Sequence, residues 1–233
     1  MNRTFSLVLV LVLTSLLVGC SENDSEPVSE FAGDWRHAGG DHSQAKYSPL
    51  DQINAENFAD LEVAWRWQSA DLRLPDGVGY ATADYRAVPL VVNGIMYVNS
   101  NHGVIAAIDP ATGEELWLFD PESYRYGSPI QTNIMIRGIE YWTDGDIERI
   151  FVATLGKQLL SLDVATGQPD PNFGEDGFID LSQNLGRLEF ESNFITAGAA
   201  PIAIGNSLIV GSKIFDYGMY NRSPPGHVRA YDT

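Results

Sequence analysis

Val104-Ile-Ala-Ala-Ile-Asp-Pro-Ala-Thr-Gly-Glu-Glu-Leu-Trp117 returns twice more along the chain in shortened form. The second copy is Leu159-Leu-Ser-Leu-Asp163-Val-Ala-Thr-Gly167, and the third is Val228-Arg-Ala-Tyr-Asp232-Thr233. In each, an apolar strand-like run ends in an Asp, and two of the three lead into the same Ala-Thr-Gly. An Asp carboxylate can accept from backbone N–H groups two residues on, and Gly supplies the positive φ that closes such a turn. The unit is therefore strand, Asp-initiated turn, Gly, strand. The three Asp residues stand 54 and 69 residues apart, a period expected of one small sheet with insertions. Self-similarity on that scale predicts an all-β array, a β-propeller of four-stranded antiparallel blades.

Composition agrees. With 44% hydrophobic and 11% aromatic residues among 233, the chain can build a core, and 22 Gly with 12 Pro suit many short strands and turns. The net charge of −17 argues against nucleic acid and anionic lipid surfaces as partners. It is equally what a soluble acidic surface would carry, so it assigns no function.

Before the repeats lies a different kind of sequence. Met1-Asn-Arg3 is cationic, Phe5 to Val18 is apolar, and Leu17-Val-Gly-Cys20 follows. Fourteen apolar or small residues fall short of the about 20 a membrane span needs, but suit the core of an export signal. Cys20 is the only cysteine, which excludes an intramolecular disulfide in this sequence. The stretch resembles a bacterial lipoprotein lipobox, which implies a signal peptide over residues 1–19 and a lipid on Cys20. Residues 20–32 then read as a flexible acidic tether, and residues 33–233 as propeller.

From Asp34 the chain runs through a Gly-rich loop and a short helical turn near Ala55–Asp60. Leu61-Glu-Val-Ala-Trp-Arg-Trp-Gln68 alternates apolar and polar, which predicts a strand with one buried face. In a propeller such a first strand often completes the last blade and so removes an open sheet edge. Its Trp65 matches Trp117, whose repeat position favours packing between blades over substrate stacking. Next, Ala87-Val-Pro-Leu-Val-Val92, Asn93-Gly94 and Ile95-Met-Tyr-Val98 predict a tight hairpin. Glu115–Phe119 supplies the fourth strand of the first blade. The second unit is Ile150–Thr154 and Gln158–Leu162, with Asp144-Gly145-Asp146 as a hairpin tip. Pro171 stands where the repeat would place a Trp, so docking by this unit must differ. The third has a hairpin at Gly205-Asn206.

The run of Tyr47-Ser-Pro-Leu, Ala64-Trp65, Pro89-Leu-Val-Val-Asn-Gly and Ala107-Ile-Asp-Pro-Ala-Thr-Gly-Glu-Glu-Leu-Trp117 resembles the quinoprotein dehydrogenases that use pyrroloquinoline quinone (PQQ). The likeness extends from about Asp34 onward and implies about three blades of an eight-bladed propeller with the cofactor on its axis. It implies cofactor contacts at Arg137, Gly198, Lys213 and Ile214, and a calcium ligand at Asp216. PQQ carries three carboxylates, which an Arg fork pairs well. Arg137 lies among apolar residues, so it is expected to be buried with a partner, either an internal carboxylate or the cofactor. Thr196 stands two residues from Gly198, the position at which the family places a hydroxyl.

Two departures qualify the likeness. Thr132 and Asn133 replace the adjacent cysteines of methanol-type members, which favours the glucose-dehydrogenase branch. Arg86 stands where several members have a Glu that touches the cofactor. Asp170–Gly177 is a bent surface loop rather than a calcium loop, since Gly174 holds a ligand position and the final Glu is absent. His37, His42, His102 and His227 show no metal-ligand spacing and are assigned no role.

What the resemblance implies is a periplasm-facing, lipid-anchored dehydrogenase that oxidises an alcohol, polyol or sugar hydroxyl and passes electrons to a quinone or cytochrome. The family's base Asp, its Lys or Arg neighbour and the Trp floor of the cofactor belong to later blades, so no catalytic residue is assigned here and the chain alone is expected to be inactive. The competing class is a non-catalytic PQQ-like propeller lipoprotein serving as an outer-membrane assembly scaffold.

Overall fold

In a computed structural model, residues 33–74, 85–126, 136–186, 195–214 and 225–233 are described, all within the unit Phe31–Thr233. Residues 1–32, including Cys20, lie outside them, as do Thr132, Asn133 and Asp216.

The chain is all-β. The first sheet is β1 (Leu90–Val92), β2 (Ile95–Asn99), β3 (Ile105–Ile108) and β4 (Glu115–Phe119), antiparallel and paired in sequence order. The second repeats that order with β5 (Glu140–Thr143), β6 (Glu148–Ala153), β7 (Gln158–Asp163) and β8 (Phe178–Asp180). In the third region, β9 (Ile195–Thr196) pairs with β12 (Lys213–Ile214), while β10 (Ile202–Ile204), β11 (Ser207–Val210) and β13 (Arg229–Asp232) form a three-stranded sheet. These are the successive small sheets of a propeller.

The hairpins follow their turn chemistry. Asn93 at φ 51 and Gly94 at φ 76 are the two left-handed residues of a type I′ turn, and Val92 pairs directly with Ile95. At Asp144 the carboxylate accepts from the N–H groups of Asp146 and Ile147, the expected hairpin tip. These backbone bonds hold the Asp144 carboxyl below the usual carboxylate range.

The sheets pack face to face, so a strand between two neighbours buries both its faces. Ile105 and Ala107 of β3 join Ile150, Val152, Leu160 and Leu162 in the core between the first two sheets. The alternate residues Ala106 and Ile108 face the other way, toward Trp65 and Trp67. Likewise Phe151 and Ala153 of β6 turn to Ala203, Leu208 and Val210 in the core between the second and third sheets. Two buried faces explain why Val104–Ile108 reads as a continuous apolar run and Leu159–Leu162 as one interrupted only by the buried Ser161.

The repeat turns have a common structure. Gly113 donates to the Asp109 carbonyl at 2.8 Å, while Ala111 and Thr112 donate to the Asp109 carboxylate at 2.7 and 3.2 Å. At the second copy Gly167 donates to the Asp163 carbonyl at 2.8 Å and Thr166 to its carboxylate at 3.0 Å. A Trp from the preceding element lies on each turn. Trp65 Nε1 donates to Pro110 O at 2.9 Å, and Trp117 Nε1 donates to Val164 O at 3.1 Å, in both cases the residue after the Asp. A Cβ on Gly113 or Gly167 would meet these indoles at 2.7 and 2.5 Å, so each Gly is required for the close approach as well as for its positive φ. Trp117 is therefore an inter-blade residue, as its repeat position implied.

Two expectations change. Leu61–Gln68 is extended but has no strand ladder; its period-two pattern reflects Trp65 and Trp67 lying on the outer face of the first sheet. In the second sheet, the loop after Gly167 carries Pro171 and buries Phe173, so the outer strand begins only at Phe178. The Asp170 carboxylate in this loop accepts from Arg149 at 2.9 Å and from the Asn172 N–H at 3.0 Å, the contacts of a surface turn.

Candidate functional site

Three innermost segments converge at Arg137. Its N–H donates to Gly198 O at 2.9 Å, and its carbonyl accepts from Val88 N at 3.2 Å. Val88 and Gly138 form a parallel bridge there, so the entries to the first two sheets run side by side and the third joins through Gly198. Asn99, buried at the end of β2, donates from Nδ2 to Ile136 O at 3.3 Å and fixes the residue before Arg137. A backbone position secured from both sides and from the preceding residue has little freedom to move.

The Arg137 side chain is exposed, whereas Ile136 and Ile139 are fully buried. This corrects the expectation of a buried guanidinium with an obligatory partner. Successive side chains of an extended segment point to opposite sides, so apolar neighbours in sequence do not imply apolar surroundings. Burial imposes no partner on Arg137.

Lys213 is close by. Burial, and then the Arg137 charge, push the Lys213 ammonium below the usual lysine range. Lys213 pairs directly with Thr196 across the β9–β12 hairpin, and Ile214 pairs with Ile195. Directly opposed residues share a face of the hairpin, so the buried Thr196, rather than Gly198, sets a hydroxyl beside Lys213. Gly198 contributes its backbone carbonyl to Arg137. Arg137, Gly198 and Lys213 thus come together, and Ile214 follows in the same strand. Arg86 is exposed in the segment that enters at Val88.

Two cations close enough for one to disfavour the charge of the other form a donor set that suits an anion carrying more than one carboxylate. The fit to PQQ rests on that charge arrangement and on the hairpin hydroxyl.

A second group of polar side chains that meet in space was not apparent in the sequence. His37 Nδ1 lies 3.3 Å from Glu140 Oε1, the His37 and His42 rings stack at 3.9 Å, and one ligand atom from each of the three residues falls within 4.8 Å of the others. Glu140 is more than ninety residues from either His, so no local spacing could have revealed the cluster. A third, His102 Nδ1, stands 3.1 Å from Asp71 Oδ2.

Comparison with known proteins agrees with this architecture. Residues 35–233 match the family model described as PQQ, glucose/ethanol/alcohol dehydrogenase, beta-propeller domain. The quinohemoprotein alcohol dehydrogenase of Comamonas testosteroni is 32% identical over 201 residues, which cover 86% of this chain and 24% of that protein. The glycerol dehydrogenase large subunit of Gluconobacter thailandicus is 30% identical over 208 residues, covering 86% and 27%. The crystal structure of the Comamonas testosteroni enzyme superposes with a TM-score of 0.61 at 30% identity, over 86% of this chain and 25% of that one. The chain thus spans about a quarter of the length of these relatives. With repeated four-stranded sheets, tryptophans docked on Asp-initiated turns and a family match over nearly all of the propeller region, the chain belongs to the PQQ-dependent glucose/ethanol/alcohol dehydrogenase β-propeller family.

Proposed function

We propose that this chain is the first part of a PQQ-dependent dehydrogenase that oxidises an alcohol, polyol or sugar hydroxyl. The observation that carries the reading is the meeting of the Arg137 and Gly198 backbones beside the Thr196–Lys213 pair, in a chain of this family. PQQ supplies a two-electron acceptor for substrate oxidation. The chain's own residues would bind and orient it: Arg137 and Lys213 would hold carboxylates, Thr196 would offer a hydroxyl, and the Arg137–Gly198 backbone bond ties the Arg137 segment to the chain leaving β9, the strand paired with that of Lys213. Ile214 would offer backbone contact next to Lys213. Asp216, two residues further, is a suitable oxygen ligand for calcium.

Location and partners belong to the same proposal. The cationic start, the apolar run and Cys20 support export and lipid anchoring on the periplasmic side of a bacterial envelope, with electrons leaving to a quinone or cytochrome.

In the whole protein, Arg137→Ala should weaken PQQ binding by about 1.5–3 kcal/mol, the loss of a hydrogen bond to a charged group. That corresponds to roughly ten- to a hundredfold in a reconstitution titration read by equilibrium dialysis. Lys213→Ala should act in the same direction. If both variants bind PQQ as tightly as the parent, the site assignment is wrong and the scaffold reading gains.

A further inference from the structure

We infer that His37, His42 and Glu140 form a binding site for a divalent transition-metal cation of the zinc class, one that fastens the lead-in segment to the inner strands of the second and third sheets. The group is built from parts far apart in sequence. His37 and His42 flank a tight turn in which Gly40 donates to His37 O at 2.8 Å and Lys46 donates to Gly39 O at 2.9 Å. Its backbone is unusual: Gly40, Gln44 and Lys46 lie at φ 90, 57 and 53. A Cβ on Gly39 would fall 2.6 Å from the Gln44 backbone, so the turn closes only with Gly there. The Asp41 carboxylate accepts from Ser43 Oγ at 2.8 Å and from Ala45 N at 3.1 Å and fixes the far side. The result is an imidazole at residue 42 folded back over the imidazole at residue 37.

Glu140 comes from the opposite side. It begins β5, the inner strand of the second sheet, and its Oε1 also accepts from Ala203 N of β10 at 3.0 Å. A carboxylate oriented by a backbone N–H from a second element has the support that metal-ligating side chains usually receive from an outer shell.

One of the three ligand spacings already suits a small cation. At bonds of about 2.0–2.1 Å and a tetrahedral angle, adjacent ligand atoms stand about 3.3–3.4 Å apart. His37 Nδ1 and Glu140 Oε1 stand at that spacing, 3.3 Å; the third ligand atom is within 4.8 Å of both, so the exposed His42 ring would turn out of its stack on His37 and close in as the ion binds. Two imidazoles and one carboxylate are the donors of a borderline ion such as Zn²⁺, whereas calcium would require several more oxygens. His37 and Glu140 are buried, and the exposed edge at His42 gives the ion an entry path. The neighbouring Arg36 would oppose a cation, but its guanidinium is paired with Asp34 at 3.1 Å. Trp35 forms a bridge with Val91 of β1, so an ion at this site would tie a segment already bridged to the first sheet to the inner strand of the second and, through the Glu140–Ala203 bond, to that of the third.

The test uses the untagged full-length chain, stripped with chelator and titrated calorimetrically with Zn²⁺. One equivalent should bind, and Zn²⁺ should raise the melting temperature. His42→Ala removes an exposed ligand, so it should leave the fold intact. It should weaken binding by more than the about 10–100-fold that loss of an outer-shell partner costs, and abolish the melting shift. His227→Ala, which alters an exposed histidine elsewhere, should change neither. Co²⁺ in place of Zn²⁺ should give visible absorption of four-coordinate intensity in the parent and not in His42→Ala. Absence of stoichiometric binding, or binding unchanged in His42→Ala, would overturn the site and leave His37 and Glu140 as a simple side-chain contact.

Discussion

Gly167 shows how much of this architecture rests on single positions. Its φ of 69 is one that L side chains avoid, and an added Cβ would fall 2.5 Å from the Trp117 ring. Gly167→Ala should therefore lose the about 1–2 kcal/mol of a left-handed backbone and a further 1–3 kcal/mol from displacing a packed indole. Gly186→Ala isolates the first cost, because Gly186 has φ 68 and nothing within 4 Å of the added methyl. Urea unfolding of the two variants should separate them by the packing contribution. Equal midpoints would mean that the indole contributes nothing at the turn. The Asp, the Gly and the Trp of this unit were all legible in sequence, because each has a local chemical reason to recur. The environment of Arg137 was not. Flanking isoleucines suggest burial only if neighbours in sequence share an environment, and along an extended segment they do not.

Among the elements, the lead-in segment depends most on side-chain anchors. Arg73 forks onto Glu115 at 3.0 and 2.8 Å, and Trp67 Nε1 donates to the same carboxylate at 3.1 Å. The Arg73 hydrogen bonds hold the Glu115 carboxyl below its usual range against partial burial. That pair is half open to solvent and is worth at most about 1 kcal/mol. Asp71, on the 3₁₀ turn Ala70–Arg73, is better enclosed. It meets His102 at 3.1 Å and accepts from the Asn101 N–H at 3.2 Å, which fastens the segment to the turn between β2 and β3. Burial raises the Asp71 carboxyl, but hydrogen bonds from His102 and Ser100 outweigh it, and the net displacement is downward. A carboxyl lowered by folding stabilises fully above its ordinary value of 3.8, and that stabilisation is lost as pH falls through the folded-state value. Asp71→Asn should thus lower stability by about 1–2 kcal/mol at neutral pH. The difference from the parent should close as melting is followed below pH 4; a constant difference across the range would assign the effect to packing instead. The strand-like alternation of Leu61–Gln68 misled for a related reason, since any extended segment lying on a flat sheet face alternates, with or without a ladder.

At the scale of the whole molecule, the sheets are unequal in how their faces are used. The first two are covered on both sides, by the tryptophans of the lead-in and by each other and the third sheet. Among the described residues, the third is covered on one. Ala203, Leu208 and Val210 face the second sheet, while Ile202 and Ile204 of β10 are 51% and 60% exposed on the opposite face. The recurring Asp-initiated turns made the repetition of small sheets legible, but which face lies bare depends on tertiary neighbours that no period reports. The cluster of His37, His42 and Glu140 was hidden for the same reason, because only the meeting of inner strands brings its members together. Exposed isoleucines in a row on a sheet face form a patch that water does not favour. The 233-residue chain should accordingly self-associate at micromolar concentration, giving a mass above the monomer in light scattering coupled to size exclusion. Ile202→Lys combined with Ile204→Lys should restore the monomer without loss of stability, since both side chains point away from the core shared with the second sheet. A parent chain that is already monomeric would show that the bare face is tolerated. Association that persists in the double variant would place the contact on another surface.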